Sequence, residues 1–243
     1  MSETTAVARP GPLETESLTA AAVSVRHPLV RALVVLTFTT GLLDASSYLG
    51  LGHVFTANQT GNVVLLGLGI AGSGNLPVLA PLVSLGAFIL GAGAAGVVIK
   101  HTRDRRITLV ARALAIELSL IAIAAVLAAA VTITPDAASG DTVIALLALA
   151  MGVRNATIRR LGGPDLTTTV LTGTLAAFAA GLPFTGGSGK GSVRRTAAAL
   201  ALFCGALTGA LLLKTGLWLP LATAAGLALA TWLIYVPAIR RHP

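Results

Sequence analysis

The chain has one cysteine, Cys204, which excludes a disulfide framework and any cysteine-built metal site. Charge is scarce as well: Asp, Glu, Lys and Arg make up 11% of the 243 residues, against about 25% in an average soluble domain. So few charges cannot cover the 55% that are hydrophobic, and the long apolar runs define an integral membrane protein. Apolar and polar residues do not alternate, which favours helices over a β-barrel. There is no His/Glu metal spacing, no Ser/His pair and no setting for a cysteine nucleophile. Catalytic residues, a metal and a cofactor are therefore not expected, and the chain is read as a non-enzyme. A net charge of +8 would suit nucleic acid, but the basic residues flank apolar segments, where lipid headgroups place them. The expected partner is the lipid bilayer, with no nucleic acid.

What is present is a series of apolar segments. Residues 1–27 are polar and read as a flexible tail, without the basic start of a signal peptide. Spanning helices are expected at 29–51, 78–99, 107–133, 142–160, 196–214 and 216–237. Two shorter, glycine-rich segments lie at 53–73 and 166–184. Residues 134–141 form an acidic turn, and 238–243 a short basic tail.

The chain repeats itself. Gly41, Asp44 and Ala45 match Gly152, Asn155 and Ala156 at an offset of 111. Thr60-Gly61 matches Thr172-Gly173 at 112, and Gly91, Ala92 and Lys100 match Gly205, Ala206 and Lys214 at 114. Such drift is what short loop insertions leave in a duplication. The halves are residues 28–133 and 142–237, joined by an external loop, 134–141.

Charge counting decides whether the short segments span. If both do, the basic residues outside the helices divide evenly between the two sides. If both dip in and return, fifteen of the 17 Lys and Arg fall on one side, Lys214 alone on the other, and Arg154 lies within a helix. The positive-inside rule favours the second arrangement. The fold class is then all-α integral membrane, with six transmembrane helices as a 3+3 inverted repeat and two short re-entrant segments. Both termini are then expected on the cytoplasmic side.

Broken helices meeting near the midplane hold solutes in many transporters, and irregular backbone at that depth must be buried or line a cavity. Asn58, Gln59, Thr60, Gly61 and Asn62 in the first segment, and Thr169, Thr172, Gly173 and Thr174 in the second, are therefore candidate substrate-binding residues. Each group precedes an apolar half-helix, whose N–H groups and dipole would favour an anion or the negative end of a polar solute. The same residues would serve equally as helix caps.

Charges within the spans are costly and invite a role. Asp44, Glu117, Arg154 and Asn155 are candidates for intramembrane charge or coupling. Arg154 would neutralise Asp44 if the repeats cross there. Glu117 would act as a proton relay, pair with Arg112, or stay neutral against a neighbouring helix. Ala87, Gly91 and Ala95 share one helix face, as do Gly205 and Gly209. These stripes allow close packing within the chain or a homodimer. Trp218, Trp232 and Tyr235 suit an aromatic belt.

The stretches GLLDASSYLGLGHVFTANQTGNVVLLG and MGVRNATIRRLGGPDLTTTVLTGTL resemble the paired signatures of the YoaK-like family of bacterial inner-membrane proteins. The resemblance covers roughly residues 31–237 and implies about six helices in the inner membrane. It implies no catalytic residues, because that family is catalogued as a domain of unknown function. Two function classes stay open: a transporter or channel for a small polar or anionic solute, and a membrane scaffold or regulatory subunit.

Overall fold

In lipid, each backbone N–H must find its acceptor within its own segment, so runs of Ala, Leu, Val and Ile coil into helices. The computed structural model describes residues 28–74, 76–101, 106–160 and 192–241. Among them are α1 (Pro28–Gly50), α2 (Gln59–Ile70), α3 (Leu79–His101), α4 (Arg106–Ala130), α5 (Ala138–Arg160), α6 (Ser192–Leu213) and α7 (Trp218–Arg241). Six of these are long and apolar enough to cross a bilayer, and they are the six long segments expected from sequence. The short helix α2, with 12 residues, reaches only about 18 Å at helical rise, well short of a hydrocarbon core about 30 Å thick.

Some boundaries differ from expectation: α4 ends at Ala130, not 133, α7 runs on to Arg241, not 237, and α5 starts early. The acidic turn was expected to run to Asp141, but α5 begins at Ala138. Ser139 Oγ accepts the Thr134 N–H at 3.3 Å, and Gly140 leaves space for Thr134 O, 2.7 Å from where a Cβ would lie. Asp141 then falls in the first turn, where a carboxylate suits the helix dipole.

Two crossings organise the bundle. In one, α1 meets α6 almost backbone to backbone: a Cβ on Gly41 would lie 2.1 Å from Leu202 O, and one on Gly205 2.0 Å from Phe38 O. In the other, α3 meets α5 in the same way, with Gly152 against Phe88 O and Gly91 against Leu149 O, both at 2.2 Å. Phe38 and Gly41 map to Leu149 and Gly152 at the offset of 111, and Phe88 and Gly91 map to Leu202 and Gly205 at 114. The remaining pair, α4 and α7, pack on each other, α4 also against α5 and α7 also against α1. Ala87, Ala95 and Gly209 lie in these contacts too: both alanines are buried, and a Cβ on Gly209 would meet Leu42 O at 2.5 Å. The small-residue stripes are therefore occupied within the chain and are not open faces for a second copy.

The helix ends sort into two groups. Leu36 of α1, Ala111 and Leu114 of α4 and Val236 of α7 form one cluster, and Ala95 of α3, Ala113 of α4 and Val153 of α5 another beside it. The N-terminal parts of α1 and α4 therefore share an end of the bundle with the C-terminal parts of α3, α5 and α7. At the opposite end, Gly50 packs on Leu213, and Gly52 lies beside Pro135 and Asp136. The main apolar core fills that second half, with Leu42, Leu43, Leu51, Ile121, Ile144, Leu147, Met151 and Leu221. Of the six spans, α1 and α5 are the most buried and also the least apolar, whereas α3 and α6 are the most exposed. That ordering is what lipid imposes, because polar side chains must face the bundle interior.

Candidate functional site

The first polar run closes on itself. After α1, the chain turns back through residues 51–58 and enters α2 at Gln59. Asp44 Oδ1 accepts the backbone N–H groups of Thr56 at 2.9 Å and Ala57 at 2.8 Å, and Oδ2 accepts that of Asn58 at 3.2 Å. Asn62, fully buried, pairs with both backbone groups of Phe55: its Oδ1 accepts the N–H at 2.9 Å and its Nδ2 donates to the carbonyl at 2.6 Å. The same amide donates to Gln59 Oε1 at 2.9 Å, and Ser84 of α3 adds a hydroxyl donor to Phe55 O at 2.7 Å. Asn58 caps the helix, its Oδ1 accepting the Gly61 N–H. Gly61 itself lies against the Phe55 ring, where a Cβ would come within 2.9 Å.

The N-terminus expected to offer donors to a solute therefore has the chain's own groups around it. Gln59 N–H donates to Ala57 O, and Asn62 N–H to Asn58 O. Asn58, Gln59 and Asn62 are hydrogen-bonded within the loop, whereas Thr60 is exposed and makes no side-chain hydrogen bond among the described residues. Thr169, Thr172, Gly173 and Thr174 lie outside the described residues. Asn155, at the position corresponding to Asp44, is buried and donates to Met151 O of its own helix at 3.0 Å.

The charged residues pair differently from the sequence expectation. Arg154 does not meet Asp44; its partner is Glu117 of α4, and both side chains are 1% exposed. Nε donates to Glu117 Oε2 at 2.9 Å, while Nη2 donates to Glu117 Oε1 and to Thr39 Oγ1 at 3.0 Å. Nη1 donates to Leu36 O and Thr40 Oγ1, both at 2.8 Å. All five guanidinium hydrogens thus have acceptors, as a buried arginine requires. Arg112, the other partner considered for Glu117, is exposed on another face of α4, because five residues turn a helix well past one revolution. Asp44 has no need of the arginine, being held by three backbone N–H groups. The hydroxyl pair Thr39-Thr40 was not singled out from sequence. A pair of hydroxyls one turn from the end of a polar stripe in a spanning helix is the signal it carried.

A cavity of about 40 Å3 adjoins this pair, between the N-terminal parts of α1 and α4 and the C-terminal parts of α5 and α7. Its walls are apolar, built by Leu33 and Leu36, Val110 and Leu114, Ile158 and Val236, with Tyr235 beside them and the apolar stems of Glu117 and Arg154 on the inner side. The helix ends around it carry the basic residues Lys100, Arg159 and Arg160. Nearby, Trp232 of α7 donates from Nε1 to Ala111 O of α4 at 3.0 Å, a tie between helices rather than only a belt residue. Among the described residues no group of three or more His, Cys, Asp or Glu could hold a metal ion.

These features define a multi-pass helical membrane protein. The chain belongs to the family described as Protein of unknown function (DUF1275), whose model matches residues 32–234. It is 37% identical over 147 residues to UPF0700 transmembrane protein YoaK of Bacillus subtilis (strain 168), a match covering 60% of this chain and 64% of that relative. The matched region thus spans a little under two thirds of the relative's length. No solved structure matches the chain.

Proposed function

We propose that the protein is a transporter or channel for a small polar or anionic solute, without enzymatic activity, in the bacterial cytoplasmic membrane. The observation that carries this reading is the buried Glu117–Arg154 pair beside a cavity among four spanning helices. Intramembrane ionisable residues are costly and characteristically mark solute and ion pathways. The two equivalent crossings support an inverted repeat with 3+3 helices, since α1 stands to α6 as α5 stands to α3. The short α2, beginning beside Asp44 and ending against Leu76 and Pro77, supports a re-entrant segment. The gathering of Lys100, Arg159 and Arg160 at one end supports a cytoplasmic location for that end and for both termini.

Uptake of labelled small anions and polar solutes into proteoliposomes tests the reading. The comparison is wild type against a variant in which Glu117→Leu and Arg154→Met are combined, since apolar replacements of similar volume keep a buried site packed. Flux in the wild type that the double variant loses supports transport. No uptake by wild type, or equal uptake by the variant, would sink it. The hydrogen-bond closure of the first polar run favours a second reading, a membrane scaffold or regulatory subunit, in which those residues serve the fold alone.

A further inference from the structure

The chemistry of the cavity narrows the solute class. Arg154 presents a planar fork, and a fork of this kind matches a carboxylate with two parallel hydrogen bonds. In the structure that carboxylate is Glu117, which also lines the cavity. Anything that takes its place on Arg154 must carry a negative charge, or a buried cation is left without a partner. Glu117, once displaced, would be a buried anion without a partner unless it takes up a proton. The neutral way to make the exchange is therefore one monoanion and one proton together. The proton ends on the Glu117 carboxyl oxygen, the anion on the guanidinium, and the net charge of the site stays at zero.

Size and surface decide which monoanion. The cavity has room of about 40 Å3, enough for about three water-sized groups at roughly 10–15 Å3 each. The walls of Leu33, Leu36, Val110 and Leu114 suit a short alkyl group and offer nothing to a polyhydroxylated solute. We propose that Arg154 is the binding site for a small monocarboxylate, which enters between the N-terminal parts of α1 and α4 and binds together with a proton on Glu117. This rests on the transport reading for its role in the membrane, and it makes the exchange electroneutral. Glu117 is bonded to Arg154 of α5, which is bonded in turn to Leu36 O, Thr39 and Thr40 of α1, and Tyr235 of α7 lines the same cavity. On α4 itself Arg112 is exposed. Among these described groups, Glu117 is the carboxylate available to take the proton.

Binding of acetate to the purified full-length protein decides the proposal, with chloride and glycerol at matched concentration as controls. Calorimetry in buffers of different ionisation enthalpy should count about one proton taken up per acetate, the stoichiometry that linkage requires. By the same linkage, apparent affinity should fall as pH rises. Glu117→Gln should bind acetate with no such pH dependence, and should gain more thermal stability from acetate than wild type does. If that variant does not fold, the combined Glu117→Leu and Arg154→Met variant, which keeps the volume, should show no acetate shift. Absence of acetate binding in wild type, binding without proton uptake, or binding retained in the combined variant would each overturn the proposal. Flux is scored separately. A protein that moves another solute but ignores acetate leaves the transport reading intact and removes this one. Proton-linked acetate binding without flux of any solute keeps the site and removes transport.

Discussion

Arg154 of α5 and Glu117 of α4 meet fork to fork inside the bundle, Nε lying 2.9 Å from Oε2, with both side chains 1% exposed. The arginine reaches a third helix as well, through Leu36 O, Thr39 and Thr40 of α1. One side chain thereby ties the α3–α5 crossing to the α1–α6 crossing. In the other half, the position at the same offset is Leu43, fully buried in the apolar core. The bundle thus carries a polar tie toward one end and an apolar seal toward the other.

The first prediction concerns the stability of this tie. Removing either partner leaves a buried charge uncompensated, which costs about 3–5 kcal/mol. Arg154→Met or Glu117→Leu alone should lower the unfolding temperature markedly. Combined, they should restore most of the loss, because an apolar pair of similar volume leaves no charge behind. Thermal unfolding of the single and double variants in one detergent makes the comparison. Additive losses would mean that the two side chains do not act as a pair.

Asp44 leads to a second prediction, local in its effect. Its carboxylate accepts three backbone N–H groups just before α2, so Asp44→Asn puts an amide donor where an acceptor is needed. Leaving one such buried donor unsatisfied costs about 1–3 kcal/mol. Hydrogen exchange at residues 56–62 should accelerate while α4 and α5 keep their protection. Unchanged exchange at 56–58 would show that the carboxylate does not hold the turn.

Much of this was legible in the sequence, and the rest was hidden for identifiable reasons. Apolar run length located the six long helices within a few residues, since lipid constrains length directly. The stripe at Ala87, Gly91 and Ala95 announced close packing but not its partner, which only the folded chain supplies as α5. Asp44 and Arg154 looked like partners because the repeat places them at nearly matching positions. What that missed is that Asp44 is satisfied by backbone N–H groups, which carry no residue-type signal. Asn62 looked like a solute ligand for the same reason: a side chain that binds its own backbone reads from sequence like one that binds something else.

The glycine crossings give a third prediction, with an internal control. A Cβ at Gly41 or Gly152 would meet a backbone carbonyl at 2.1 or 2.2 Å, and backbone cannot rotate away as a side chain can. Overpacking typically costs about 1–3 kcal/mol, and these sites belong at the upper end. Gly86 lies on α3 where a Cβ would meet nothing within 4 Å among the described residues, so alanine there should be neutral or slightly stabilising through helix propensity. Gly41→Ala and Gly152→Ala should therefore lose stability to a similar degree and Gly86→Ala should not. Unequal losses at the first two would argue against equivalence of the crossings.

The last prediction tests how the chain crosses the membrane. If residues 166–184 dip in and return, the loop that follows lies on the same side as Lys100, Arg159 and Arg160. If that segment spans, the loop lies on the opposite side. A cysteine at Ser188, in a Cys204→Ala background to remove the exposed native thiol, distinguishes the two. A membrane-impermeant maleimide applied to intact cells should leave Ser188→Cys unlabelled until the membrane is permeabilised. Ala138→Cys, exposed at the start of α5 and at the opposite end of the bundle, should label without permeabilisation and so serves as the positive control. Labelling of both positions in intact cells would require the segment to span and would overturn the six-crossing arrangement.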